Sequence, residues 1–227
     1  MKHIGIVDIT TVGACICANA IVAKAAETLG NAHPEFTLHA FPFSKYREAI
    51  DQQDWSEVAE LILASIQKLK AAGADFAIIP SNTPHYAFDQ IMARSPLPVL
   101  NLIEIIVDEC QRLGYKKVLV LGTKATMQGP LYSAPLQARG IEPLVPSEQD
   151  QESIQQLIFH EIIPSKVNPL SVQNIADRIR QYPCDAVILG CTELPEVFNE
   201  KNLDMPTLDT TRLLAYKALE YATHGGL

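Results

Sequence analysis

The sequence of 227 residues predicts an α/β fold made of two pseudo-symmetric lobes, each a mainly parallel sheet flanked by helices. Three observations predict it. Short β-branched runs alternate with helical stretches along the whole chain. The segment Gly73-Ala74-Asp75-Phe76-Ala77-Ile78-Ile79-Pro80-Ser81-Asn82-Thr83 resembles a later one, Pro183-Cys184-Asp185-Ala186-Val187-Ile188-Leu189-Gly190-Cys191-Thr192-Glu193. Two further pairs recur in the same order: His3–Val7 with Lys117–Leu121, and Leu97–Asn101 with Met205–Asp209. Each pair lies about 110 residues apart, too far for a solenoid and right for a duplicated lobe. The first lobe is expected over 1–105, completed by 209–227, and the second over 106–208.

Taken in order, His3–Val7 reads as a strand and Gly13–Leu29 as a helix. Phe36–Ala40 is the second strand. Val58, Leu61, Ile62, Ile66 and Leu69 recur at helical spacing and predict a helix over Trp55–Ala72. Phe76–Ile79 is a buried strand stopped by Pro80, and Val99–Leu100 a short one followed by a helix over Leu102–Leu113. In the second lobe the expected strands are Lys117–Leu121, Glu142–Val145, Ala186–Leu189 and Thr207–Leu208. The helices between them are expected at Met127–Arg139, Glu148–Ile163 and Ser171–Gln181, with a last one running to Tyr221.

Composition narrows the function. Hydrophobic residues at 48% and charged residues at 19% exclude a disordered majority. A net charge of -8 argues against a nucleic-acid partner but leaves an acidic small substrate open. The five cysteines are odd in number and form no C-x-x-C or Cys/His cluster, so neither a disulfide framework nor a zinc site is expected. A reducing, cytoplasmic location fits best. Residues 4–23 are apolar enough to test as a leader, but Asp8 interrupts the run and Lys2 is the sole basic residue before it. No leader and no membrane partner are therefore expected. The chain has no G-x-G-x-x-G, Walker or nucleophile-elbow sequence.

Ligands of open α/β sheets bind beyond the carboxyl ends of the strands. Those ends carry Asp8, then Ser81-Asn82-Thr83 with His85, then Gly122-Thr123 with Thr126, then Cys191-Thr192-Glu193. Facing lobes would set Ser81 and Cys191 on two sides of one cleft, a geometry suited to moving a proton on and off a planar carbanion. Cys191 follows a glycine and precedes a helix start, where backbone N–H groups favour a thiolate; an inert core cysteine is the other reading. Ser81-Asn82-Thr83 reads as a ligand site, a helix cap, or both. His85 reads as a general acid or base, or as a histidine on a helix surface. Asp8 reads as the holder of a ligand amine or as a turn cap. Arg47 reads as a partner for a substrate carboxylate or as a solvated charge.

These strand-end residues carry a resemblance. Pro80-Ser81-Asn82-Thr83-Pro84-His85, Leu121–Met127, Leu189-Gly190-Cys191-Thr192-Glu193-Leu194-Pro195 and Leu208-Asp209-Thr210-Thr211 resemble the aspartate/glutamate racemase family. That resemblance implies cofactor-independent chemistry, with neither pyridoxal phosphate nor metal. One cysteine removes the α-proton and a second reprotonates the opposite face. Two departures stand out: Ser81 takes the place of the first cysteine, and Asp8-Ile9-Thr10 stands where a Gly-Gly-Met turn is common.

The expected function is racemisation or epimerisation of an acidic amino acid, with Cys191 as main acid/base and Ser81 in the second catalytic position. Asp8, Asn82, Thr83, Thr123, Lys166 and Thr192 would bind substrate, with His85 and Glu193 in support. The implied partner is a small carboxylate, and a homodimer is one possible assembly. Two alternatives keep the fold. One is a single-cysteine decarboxylase or isomerase of a small dicarboxylate. The other is a non-catalytic small-ligand-binding relative.

Overall fold

Strand β1 (Ile4–Asp8) is buried along its whole length and centres the first sheet. In the computed structural model, which describes residues 1–30 and 32–225, it pairs in parallel with β2 (Phe36–Ala40) and β3 (Phe76–Ile78), giving the order β2-β1-β3. A parallel strand pair needs a crossover, and helices supply it. Helix α1 (Thr11–Leu29) joins β1 to β2, and α2 (Phe43–Asp51) with α3 (Trp55–Ala71) joins β2 to β3. Helix α1 buries a stripe of mostly small residues, Gly13, Ala14, Cys17, Ala20, Ile21 and Ala25. By length and composition alone this 19-residue helix is apolar enough to cross a membrane. In α3 the Asp54 side chain accepts from Glu57 N at 3.0 Å and caps the helix, whose Val58, Ile62, Ile66 and Leu69 enter the core. They pack there with Val7, Tyr46, Ala77, Ile79 and Ile91.

Beyond β3 the expected strand at Val99–Leu100 is a single bridge, Ala77 to Val99. Ala77 N donates to Pro98 O at 2.8 Å and Leu100 N to Ala77 O at 3.1 Å. Pairing stops there because Asn101 turns the chain into α5 (Leu102–Arg112), its side-chain oxygen accepting from Ile103 N and Glu104 N. A short 3₁₀ helix (Thr83–Ala87) and α4 (Phe88–Met92) fill the space between β3 and this bridge. They supply the helical segment implied by the reading of Ser81-Asn82-Thr83 as a cap, whereas α2 was not expected from the sequence.

The second sheet is also fully parallel, in the order β5-β4-β6-β7, with β4 at Lys117–Leu121, β5 at Glu142–Leu144, β6 at Ala186–Leu189 and β7 at Thr207–Asp209. The helix expected at Met127–Arg139 is two helices, α6 (Lys124–Gln128) and α7 (Pro130–Ala138). Pro130 lacks an N–H and pushes Gly129 to ψ 172°, out of the helical region. The helix expected at Glu148–Ile163 is α8 (Glu148–Gln156) continued by a π-helix (Leu157–Ile162). The wider turn keeps Leu157, Ile158 and Ile162 buried together. Then follow α9 (Pro169–Ile179), α10 (Glu200–Leu203) and α11 (Thr210–His224). The core of this half gathers Leu119, Leu121, Ile154, Ile158, Ile179, Val187, Leu189 and Phe198.

The chain divides into two compact units, residues 1–105 with 211–227, and residues 106–210. Within each, the first strand lies between the second and the third, and a fourth pairing element follows the third.

Candidate active site

The end of β6 is shaped by two glycines. Gly190 N donates to Leu121 O at 2.7 Å. A Cβ on Gly190 would lie 2.9 Å from that same oxygen and 3.1 Å from Thr126 Cγ2. A Cβ on Gly122 would lie 3.0 Å from both Gly190 O and the Thr126 side chain. The β4 and β6 ends thus meet over Thr126. Thr123 stands at the N-cap position of α6 with its carbonyl accepting from Thr126 N at 2.9 Å, and its hydroxyl lies 3.3 Å from that of Thr126 without capping the helix.

Cys191 leaves this junction half-buried. Its thiol donates to Glu193 Oε2 at 2.9 Å, and the Thr192 hydroxyl donates to the same oxygen at 2.7 Å. Burial and the Glu193 carboxylate push the thiol well above its ordinary range, outweighing backbone N–H groups of Thr192 and Glu193 that favour the thiolate. This corrects the expectation of a helix-stabilised thiolate. The element after Cys191 is only a three-residue 3₁₀ turn, Leu194–Glu196, with Pro195 in it, so little helix dipole is available. Cys191, Thr192 and Glu193 form one cluster. Lys166 lies exposed in the turn after the π-helix, where its N–H closes onto Glu161 O at 2.7 Å, and no described hydrogen bond links it to that cluster.

In the other unit, Asp8 ends β1 almost fully buried and accepts from Thr11 Oγ at 2.9 Å. Burial raises its pKa, against the opposing pull of Thr11 and His39. His39, whose Nδ1 is 2.9 Å from Ser65 Oγ, is pushed down by burial and by Lys68. The hydroxyls of Thr10 and Tyr46 are buried without a hydrogen-bond partner. Tyr46 is raised by its burial and by Asp8. Thr10, His39 and Tyr46 were not expected near a site. Tyr46 sits in the unforeseen α2, and a lone tyrosine in a polar segment gives no signal.

Ser81 is half-buried one residue past Pro80, and its N–H returns to Ile79 O at 2.8 Å. Asn82 is buried and Thr83 opens the 3₁₀ helix. His85 is 5% exposed, which overturns its reading as a surface histidine. Its Nδ1 is 2.9 Å from Ser81 O, and its Nε2 accepts from Leu102 N at 3.2 Å. The ring stacks on Phe88 at 5.5 Å. Burial brings its pKa down to about 4, so the imidazole is neutral at physiological pH. Arg47 is exposed and pairs with Asp51 one helical turn on. Among the described residues no group of three or more His, Cys, Asp or Glu could hold a metal.

Residues 4–218 match the model of the family described as Asp/Glu/Hydantoin racemase. The broad specificity amino-acid racemase RacX of Bacillus subtilis (strain 168) is 27% identical over 185 residues, covering 81% of this chain and 79% of that protein. Among solved structures, an aspartate racemase homologue from Pyrococcus horikoshii OT3 superposes with a TM-score of 0.86 at 26% identity, covering 99% of this chain and 100% of that one. A structure described as a putative Asp/Glu racemase from Yersinia pestis gives 0.89 at 26% identity, covering 98% and 99%.

Proposed function

The chain belongs to the Asp/Glu/hydantoin racemase family, and from that premise we propose a cofactor-independent racemase of acidic amino acids in which Cys191 is the main acid/base. The observation that carries this reading is the Cys191–Glu193 pair at the end of β6. A thiol held above its ordinary range gives a strongly basic thiolate once its proton has left, and Glu193 is in place to take that proton. The thiolate then removes the α-proton: the C–H bond breaks, the S–H bond forms, and the electron pair passes into the substrate carboxylate. Donors at Asn82, Thr83, Thr123 and Thr192 hold carboxylates, and Asp8 holds the amine. Lys166 is kept as a candidate for the side-chain carboxylate.

Ser81 serves the opposite face. Its O–H gives a proton to the carbanion and recovers one from solvent. A hydroxyl is a far weaker acid than a thiol, so return of the proton by Cys191 outpaces inversion. A cytoplasmic location is part of this reading, because an odd number of cysteines without a paired spacing suits a reducing compartment. Because the Bacillus relative is a broad specificity amino-acid racemase, the test extends beyond acidic amino acids. Chiral chromatography with a panel of D- and L-amino acids and small dicarboxylates reads it. Inversion of aspartate or glutamate supports the proposal. Loss of carbon dioxide from a dicarboxylate, without inversion of any amino acid, would replace it with the single-cysteine decarboxylase that Ser81 leaves open.

A further inference from the structure

We propose that His85 is a positioning residue for Ser81, a neutral imidazole locked as the Nδ1–H tautomer that ties the Ser81 carbonyl to the first N–H of α5. The inference rests on the reading of Ser81 as the second catalytic face. Its geometry stands without that reading.

The two ring nitrogens meet backbone groups of opposite kind. Nδ1 lies 2.9 Å from a carbonyl, Ser81 O, so it must carry the hydrogen. Nε2 lies 3.2 Å from an N–H, Leu102 N, so it must be bare. The hydrogen-bond network therefore assigns one tautomer. A cationic ring would set Nε2–H against Leu102 N–H and lose one of the two bonds. The ring is buried and stacked on Phe88, which fixes its plane.

What the ring joins gives it a function. Ser81 follows β3, and Leu102 follows the bridge that pairs Val99 with Ala77. These are the carboxyl ends of two neighbouring pairing elements, and the imidazole joins them. In the second unit the matching join is made differently: the buried Thr210 hydroxyl, at the start of α11, donates to Leu189 O at 3.0 Å. The residue corresponding to His85 there is Pro195, which has no side-chain donor. The first unit has Leu102 where the second has Thr210, a side chain that cannot make such a bond, and there the join runs through the imidazole from Ser81 O to Leu102 N instead. A hydroxyl is a poor proton donor to carbon and tolerates little misplacement. An error near 1 Å lowers such a step by about 100-fold.

Two measurements on the full-length chain test this. Nitrogen-15 NMR of labelled histidine reads the tautomer. A neutral Nδ1–H ring from pH 8 down to about 5 is the expected result. An Nε2–H ring, or an imidazolium at pH 7, overturns the proposal even if no variant folds. The second measurement compares deuterium uptake at Cα with optical inversion, starting from each enantiomer of aspartate. In His85→Ala the ratio of inversion to uptake should fall by about tenfold or more, with uptake at the Cys191 face within a few fold of wild type. His85→Asn, which keeps a donor for Ser81 O, should recover part of the ratio. Equal loss of both rates would show a merely structural role and overturn the proposal. Ser81→Ala is the control for the underlying reading. If it leaves inversion unchanged, Ser81 is not the second face, and the positioning role falls with it whatever the tautomer.

Discussion

The Cys191 thiol and the Glu193 carboxylate form one hydrogen-bonded unit, Sγ to Oε2 at 2.9 Å, two residues apart at the mouth of β6. The negative charge opposes loss of the thiol proton while offering it a destination. Glu193→Gln separates these effects. Without the charge, the Cys191 thiol becomes more acidic, and the pH midpoint of its alkylation by iodoacetamide falls by about one unit or more. Turnover should nonetheless drop by about 100-fold, because the acceptor is gone. An unchanged midpoint would show that burial alone sets the thiol.

The glycines behind Cys191 give a packing prediction. In Gly190→Ala the new methyl meets Leu121 O at 2.9 Å, and that atom is backbone. The strand ends must part, at a cost of about 1–3 kcal/mol in urea unfolding. Gly140→Ala serves as a contrast, since no atom lies within 4 Å of its Cβ and only its φ of 70° is strained. Equal stability of Gly190→Ala and wild type would contradict the close approach.

Much of this architecture was legible in the sequence because burial writes itself into spacing. The β-branched runs Lys117–Leu121 and Ala186–Leu189 are strands at the expected bounds, and α3 follows its apolar stripe. What escaped was set by polar or single-residue chemistry. Helix α2 is short and polar, with a buried Tyr46 and Ala49 as its inward face. The break at Gly129-Pro130 is visible as a dipeptide, but the apolar spacing on either side of it continues a helical pattern. At the candidate site, residue types at strand ends pointed to Cys191 and Ser81, whereas the environment of each did not show. The bonds of His85 go to backbone groups four and seventeen residues away, and no side-chain pattern encodes a backbone partner.

Asp8 yields a prediction with opposite signs for stability and activity. Burial raises its folded pKa, so at neutral pH its charge works against folding. Asp8→Asn removes that charge and leaves an oxygen to accept from Thr11. Stability should hold or rise, by roughly 1 kcal/mol or less, while the Michaelis constant for amino-acid substrates increases. A clear loss of stability on calorimetry would mean that the carboxylate is paired rather than merely buried.

His85 makes stability depend on acid. An unfolded histidine titrates near ~6.5, and this one at about 4 when folded. Between those values the unfolded chain binds a proton that the folded chain refuses. Stability from this group is therefore complete above about 6.5 and is lost as pH falls toward about 4. The full span is worth on the order of 3 kcal/mol. The stability gap between wild type and His85→Gln, measured in urea at pH 7 and at pH 4.5, should shrink at the lower pH. A constant gap would contradict the buried neutral ring.

Cys191 is the centre of the proposed chemistry, and proton NMR in deuterated water tests it most directly. Wild-type protein with aspartate or glutamate should wash solvent deuterium into Cα, faster than it inverts the centre. Cys191→Ala should lose that exchange by at least about 100-fold, with a folded-state spectrum intact and stability within roughly 1 kcal/mol of wild type. Near-wild-type exchange in a correctly folded Cys191→Ala protein would contradict the assignment of Cys191 as the base.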